Sequence, residues 1–224
     1  MESILDLNRQ LSADIYKTLK EARNGVLMIN PNYPSVEESL QLASDFDTRK
    51  FYQYVRNELS EKLIPAWLSY QEKDDVAQYD AIYFEYSDGD APPYEAHSYG
   101  FYNMKNYKLT LSPHFYGYDY EFGGWEAGLG LILEPFSFCI PICTYNEETS
   151  EAYEKIHHED EKSGVTELLD YANAICKLVL HEVFAEADAK GLFNEIRIKA
   201  GGLFMYDVHD GGSVQSPFHF KMPV

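Results

Sequence analysis

A chain of 224 residues with 45% hydrophobic residues can bury a sizeable core, so it needs neither disulfides nor a structural metal to fold. Its net charge of −19 opposes binding to nucleic acid or anionic lipid, which depends on Lys and Arg neutralising phosphates. The three cysteines, Cys139, Cys143 and Cys176, are an odd number without framework spacing and point to a reducing, cytoplasmic setting. The segment MESILDLNRQLSADIYK mixes charges through its apolar positions, so no signal peptide is expected, and apolar runs such as 129–133 and 138–143 are far too short to cross a membrane.

Ile4, Leu7, Leu11, Ile15 and Leu19 form one stripe at helical spacing, which predicts an amphipathic helix over 3–23 ending near Asn24-Gly25. Val26 to Ile29 is a short strand or the helix exit. Ser35 with Glu38 spells a capping box for a second helix. Asp47 or Thr48 caps a third, in which Phe51, Val55, Leu59 and Leu63 recur every fourth residue until Pro65 ends or restarts it; Trp67 and Leu68 pack the short piece after the proline. Residues 1–72 thus read as mainly helical.

From 79 to 145 the pattern changes to that of a sheet. Ten of the 19 tyrosines fall between Tyr79 and Tyr120, in alternation with other residues. Strands are expected at 80–87, 94–102, 107–111 and 115–122, separated by turns rich in Asp, Gly, Asn, Lys and Pro. The run Leu129 to Leu133 suits a central strand or a packed turn, and Pro135 and Pro141 place the next segment at or across a sheet edge. Such a meander implies an antiparallel sheet.

Residues 146–191 return to helix. The acidic stretch Asn146 to Glu161 suits a solvated helix or loop, and Thr166 is placed to cap a long amphipathic helix bearing Leu168, Leu169, Ala172, Ile175, Cys176, Val179, Val183 and Ala187. Gly191 marks its end. A strand at 202–208, a turn at Asp210-Gly211-Gly212 and a last strand at 218–220 make residues 202–220 β-structured. The expectation is a single α+β domain over 1–224: a central antiparallel β-sheet (meander) with N-terminal helices and a long C-terminal amphipathic helix packed on it.

Four groups of residues bear on chemistry. Cys139, Cys143, His157 and His158 are zinc-ligand types, but the Cys-x3-Cys spacing lies in an apolar, proline-broken segment and adjacent histidines rarely converge on one ion. His181-Glu182 lacks a second histidine, position 185 being Ala, so the helical zinc-protease pattern fails. Asp207, His209 and Asp210 place a carboxylate beside an imidazole, yet no nucleophile motif accompanies them. Gly123-Gly124-Trp125-Glu126-Ala127-Gly128 lacks the Lys and the order of a phosphate loop and reads as an aromatic-anchored turn. No catalytic residue, metal or cofactor is therefore assigned; a hydrolase or metal-binding enzyme using Asp207 and His209, or Cys139, Cys143 and His157, is the alternative.

The charge distribution carries the main functional expectation. Residues 79–161 hold 16 acids against three bases, whereas 1–24 are balanced. Tyrosine rings supply contact area at low entropy cost and carboxylates steer a cationic partner, so Tyr83, Glu85, Asp88, Asp90, Glu95, Tyr118, Asp119, Glu121 and Trp125 form the candidate binding face. A basic protein is its natural partner. Stacking of a small molecule or carbohydrate on the tyrosines is a further alternative.

The order of an N-terminal helix, the aromatic meander IYFEYS, SYGFY and GGWE, the long helix LLDYANAICKLVLHEVFAEADAKGLF, and a late strand ending in Val208-His209-Asp210 resembles the acidic immunity proteins of bacterial toxin systems, including the SUKH-like group. The resemblance implies a bacterial, cytoplasmic protein that binds a basic toxin, commonly a nuclease, and blocks it without chemistry. It transfers no individual site residue.

Overall fold

The computed structural model describes residues 4–73, 78–87, 92–102, 121–144, 164–208 and 215–219, and it is an α+β fold. Helix α1 (Ile4–Leu27) buries Leu7 and Leu11 and runs along α6 (Val165–Ala189). It continues through Gly25, where a Cβ would meet the Glu167 side chain at 3.3 Å, and Val26 to Ile29 is the helix exit. Helix α2 (Pro34–Asp45) does not use the expected capping box. Its N-cap is Tyr33 and it starts at Pro34, whose fixed φ suits a first helical position, so Ser35 already lies inside the first turn.

Helix α3 (Thr48–Glu58) is capped by Asp47, whose Oδ1 accepts the Lys50 N–H at 3.0 Å. Before Pro65 the chain widens into a π turn over Leu59–Leu63, in which the Ile64 N–H reaches back to the Leu59 carbonyl, and then resumes as α4 (Ile64–Gln71). Proline has no N–H and crowds the preceding turn, so inserting one residue keeps the helix going instead of ending it. Phe51, Val55, Leu59 and Leu63 all point into the core, and Trp67 is fully buried with its Nε1–H donated to Ser98 Oγ at 3.0 Å.

Among the described residues the sheet comprises β1 (Tyr79–Tyr86), β2 (Glu95–Tyr102), β3 (Glu121–Ile132), β4 (Ile198–Val208) and β5 (Gln215–His219) in the order β3-β2-β1-β4-β5. Strands β1, β2 and β3 pair antiparallel, but the sheet is mixed and not the antiparallel meander expected, because β4 lies parallel to β1. Helix α6 precedes β4, and a crossover through a helix lets a strand return in the same direction. The glycine-rich segment is not a turn. It belongs to β3, where pairing shifts between His97 and Ser98 and again between Tyr99 and Phe101, each shift leaving extra residues on the Gly123-Gly124 and Gly128 side. The run 129–133 closes that strand outside β2, rather than at the sheet centre.

Pro135 and Pro141 also differ from expectation, since each sits near the start of a helical turn that needs no N–H there. A 3₁₀ segment (Glu134–Cys139) leads into the single turn α5 (Ile140–Cys143), and Phe136, Phe138, Cys139 and Ile142 are buried. Helix α6 begins with Gly164 at φ +84°, not with Thr166, because Ile29 occupies the space a Cβ would need there. Its end follows the Schellman pattern: Gly191 at φ +73° donates to Asp188 and Leu192 donates to Ala187, both at 3.0 Å.

Helices cover one face of the sheet. Phe184 of α6 stacks on Phe204 with ring centroids 3.8 Å apart and meets Phe84 edge-on, so three elements share one aromatic contact. The opposite face holds a smaller buried group: Ala81, Tyr83, Phe101, Leu203 and Met205. Both sides of β1 are thus apolar at its centre, which explains why it alternates poorly. The expected strand at 107–111, all but the last two residues of the one at 115–122, the acidic stretch from 146 to 161 and the turn at 210–212 lie outside the described residues.

Candidate functional site

The expected binding face is the sheet side opposite the helices. On β1 it includes Tyr83 and Glu85. Antiparallel pairing sets Tyr83 against Tyr99 and Glu85 against His97, while the parallel neighbour of Glu85 on β4 is Asp207. Alternation brings Glu95, His97 and Tyr99 to the same side of β2. The result is a row across three strands at one end of the sheet, with His97, Glu85 and Asp207 in register. Directly opposed residues have Cβ atoms about 5 Å apart, close enough for one ligand group to touch two of them.

Burial divides this face. Tyr83 retains only 4% of its surface, with its ring 5.4 Å from Phe101 and 6.4 Å from Tyr99, so it packs the sheet and offers little contact area. Glu85, His97 and Tyr99 are partly exposed and Glu95 is exposed. The Glu95 side chain lies over Gly130 of β3, where any Cβ would collide with its carboxylate. The open surface left by that glycine lets the carboxylate rest flat on the neighbouring strand. Asp88, Asp90, Tyr118 and Asp119 lie outside the described residues, and Glu121 and Trp125 are placed by their backbone in β3. His97 is absent from the sequence-derived set, although the alternation of YEAHSYGFY puts it between Glu95 and Tyr99 on one side.

Of the groups behind the alternative chemistry, the structure describes the side chains of the three cysteines and of His181. Cys139 and Cys176 are buried, and loss of solvation pushes both thiols well above their ordinary range; Cys143, partly exposed, shifts the same way for the same reason. Thiols held neutral in this way are poor nucleophiles. His157, His158, His209 and Asp210 lie outside the described residues. His181 is buried with its ring 6.0 Å from that of Phe218. Among the described residues no three His, Cys, Asp or Glu side chains come together as a metal site.

A second polar group, at the end of α6, has no counterpart among the sequence motifs. Glu186 there accepts the Tyr52 hydroxyl on Oε2 and, on Oε1, the Arg56 Nε at 3.3 Å and the Lys190 ammonium. One turn earlier Tyr16 of α1 donates its hydroxyl to Glu182. Lys190, followed by the Tyr52 hydroxyl, holds the Glu186 carboxyl below its usual range, whereas burial and Glu186 push the Tyr52 phenol up to about 12. Beside this cluster lies a cavity of about 250 Å³ between the π turn and α6.

No protein-family model matches the chain, and comparison with curated proteins and with solved structures finds no significant match. Among the described residues, no helix is long and apolar enough to cross a membrane.

Proposed function

We propose that the protein is a non-enzymatic binding module that engages a basic protein through the acidic end of its sheet. The observation that supports this is the row formed by Glu85, His97 and Glu95 beside Tyr99, on the side of the sheet away from the helices. It lies within residues 79–161, where acids outnumber bases 16 to three. A partner's Lys or Arg would meet two carboxylates there, and Tyr99 adds a partly exposed ring with few rotatable bonds to immobilise. Neutralisation of a basic toxin, as the resemblance to bacterial immunity proteins implies, is the biological form of this proposal.

Capture from a native lysate, with the neighbouring reading frames recorded, identifies the partner, and stopped-flow association then tests the electrostatics. Long-range attraction accelerates encounter and is screened by salt. The expected result is a basic polypeptide whose association rate falls by about tenfold or more between low and high salt. Glu85→Gln with Glu95→Gln should slow association further at low salt. A rate indifferent both to salt and to these two substitutions would overturn the proposal.

A further inference from the structure

We propose a second binding site, independent of the sheet face, in which the cavity between the π turn and α6 takes a small organic carboxylate with a short apolar tail. Its walls are the side chains of Leu59, Val183, Ala187 and Leu192, and Leu192 is 42% exposed at the opening. At roughly 30 Å³ per water-sized unit, about 250 Å³ holds about eight non-hydrogen atoms. That is the size of hexanoate and below that of a drug-sized ligand.

The mouth has more donors than acceptors. An Arg guanidinium carries five N–H groups and a Lys ammonium three. Arg56 spends its Nε on Glu186 and one Nη1 hydrogen on Gln53 Oε1 at 3.4 Å, while Lys190 spends one hydrogen on Glu186. Their side chains are 46% and 50% exposed, and among the lining residues Glu186 supplies the single negative charge against their two positive ones. Among the lining residues one positive charge is thus in surplus at the lip of an apolar hole, with Glu182, which accepts the Tyr16 hydroxyl, one turn away on α6, so a carboxylate at the lip with its tail inside satisfies both parts. The same site disfavours an ammonium group, which would face two cations.

The backbone contributes as well. The extra residue of the π turn widens the helix where Leu59 and Ser60 line the cavity, and Ser60 Oγ donates to the Arg56 carbonyl at 3.0 Å, turning inward to the helix instead of toward a ligand. The cavity wall is thus held by the same insertion that Pro65 imposes.

The test is a titration of the full chain with hexanoate, hexanol and hexylamine, followed by amide chemical shifts. Saturable shifts with hexanoate at Ser60, Glu186, Lys190 and Leu192 are expected, with hexanol at least about fivefold weaker and hexylamine inert. Arg56→Gln and Lys190→Gln, both partly exposed and so safe for folding, should each weaken hexanoate at least about fivefold and leave hexanol unchanged. Ala187→Leu should fill the cavity and abolish both. Absence of saturable shifts, equal affinity for hexanoate and hexanol, or indifference to the two charge variants would overturn the proposal. None of these outcomes depends on whether the sheet face has a partner.

Discussion

Trp67 shows how one residue ties the helical layer to the sheet. Its indole is fully buried, and its N–H finds Ser98 Oγ, which is itself fully buried on β2. Removing only the acceptor costs the buried donor this hydrogen bond, about 1–3 kcal/mol, whereas removing both partners costs less than the sum. Ser98→Ala should therefore lower the urea midpoint clearly, and Trp67→Phe should cost more because it also leaves a void. In the double variant the two effects should be subadditive by about 0.5 kcal/mol or more. Additive losses would mean that the hydrogen bond contributes nothing. Tyr83 teaches the complementary lesson. Its alternation with Glu85 was readable, but whether a strand position is open depends on what covers the sheet, and no local pattern in the chain carries that information. The Glu186 cluster was hidden for a different reason. Its members come as two pairs spaced by four, Tyr52 with Arg56 and Glu186 with Lys190, which is ordinary for solvated helix faces. Only the packing of α3 against α6 turns the two pairs into one site.

At the level of elements, the helices were the most legible part because a 3.6-residue period is a local property. Asp47 and Gly191 were readable as start and stop signals since each acts within its own few residues. Ser35 and Thr166 are no caps because Pro34, one residue before the first, and Gly164, two before the second, already set the backbone. Gly191 offers a direct check. At φ +73° alanine pays about 1–2 kcal/mol for the left-handed conformation, and its Cβ would also press on the Asn194 amide at 2.8 Å. Gly191→Ala should lower the Tm by roughly 3–6 °C, and Gly191→Asn, whose side chain tolerates this region, should lower it by less. Equal Tm values for wild type and the alanine variant would show that the helix end is not held in the left-handed conformation.

At the scale of the whole molecule, pH should act from the alkaline side. Burial raises Cys139 and Cys176, and burial followed by the neighbouring thiol of Cys176 raises Tyr206. Each of these groups holds its proton more tightly folded than unfolded. Stability is therefore fully present below the unfolded thiol range near pH 8.5 and declines as pH rises beyond it, with the phenols adding from about pH 10 upward. Urea midpoints should be level from pH 7 to about 8.5 and should fall from there to pH 11, with a shallower fall once Cys176 is replaced by alanine. A flat profile would show that the thiols are not protected. The fold class was legible in the order of helical and alternating segments, but strand partnership was not, since a strand's own residues do not name the strand beside it. That leaves a consequence for how the chain is made. On emerging from the ribosome, β1 finds β2 at once, yet its other flank must wait until α6 has been synthesised and Ile198 to Val208 can lie against Tyr79 to Tyr86. Throughout that interval the aromatic flank of β1 is an unpaired strand edge, the kind of surface that recruits stray strands. Chains halted before Ile198 should for this reason be captured by chaperones or aggregate, while chains released beyond His219 fold.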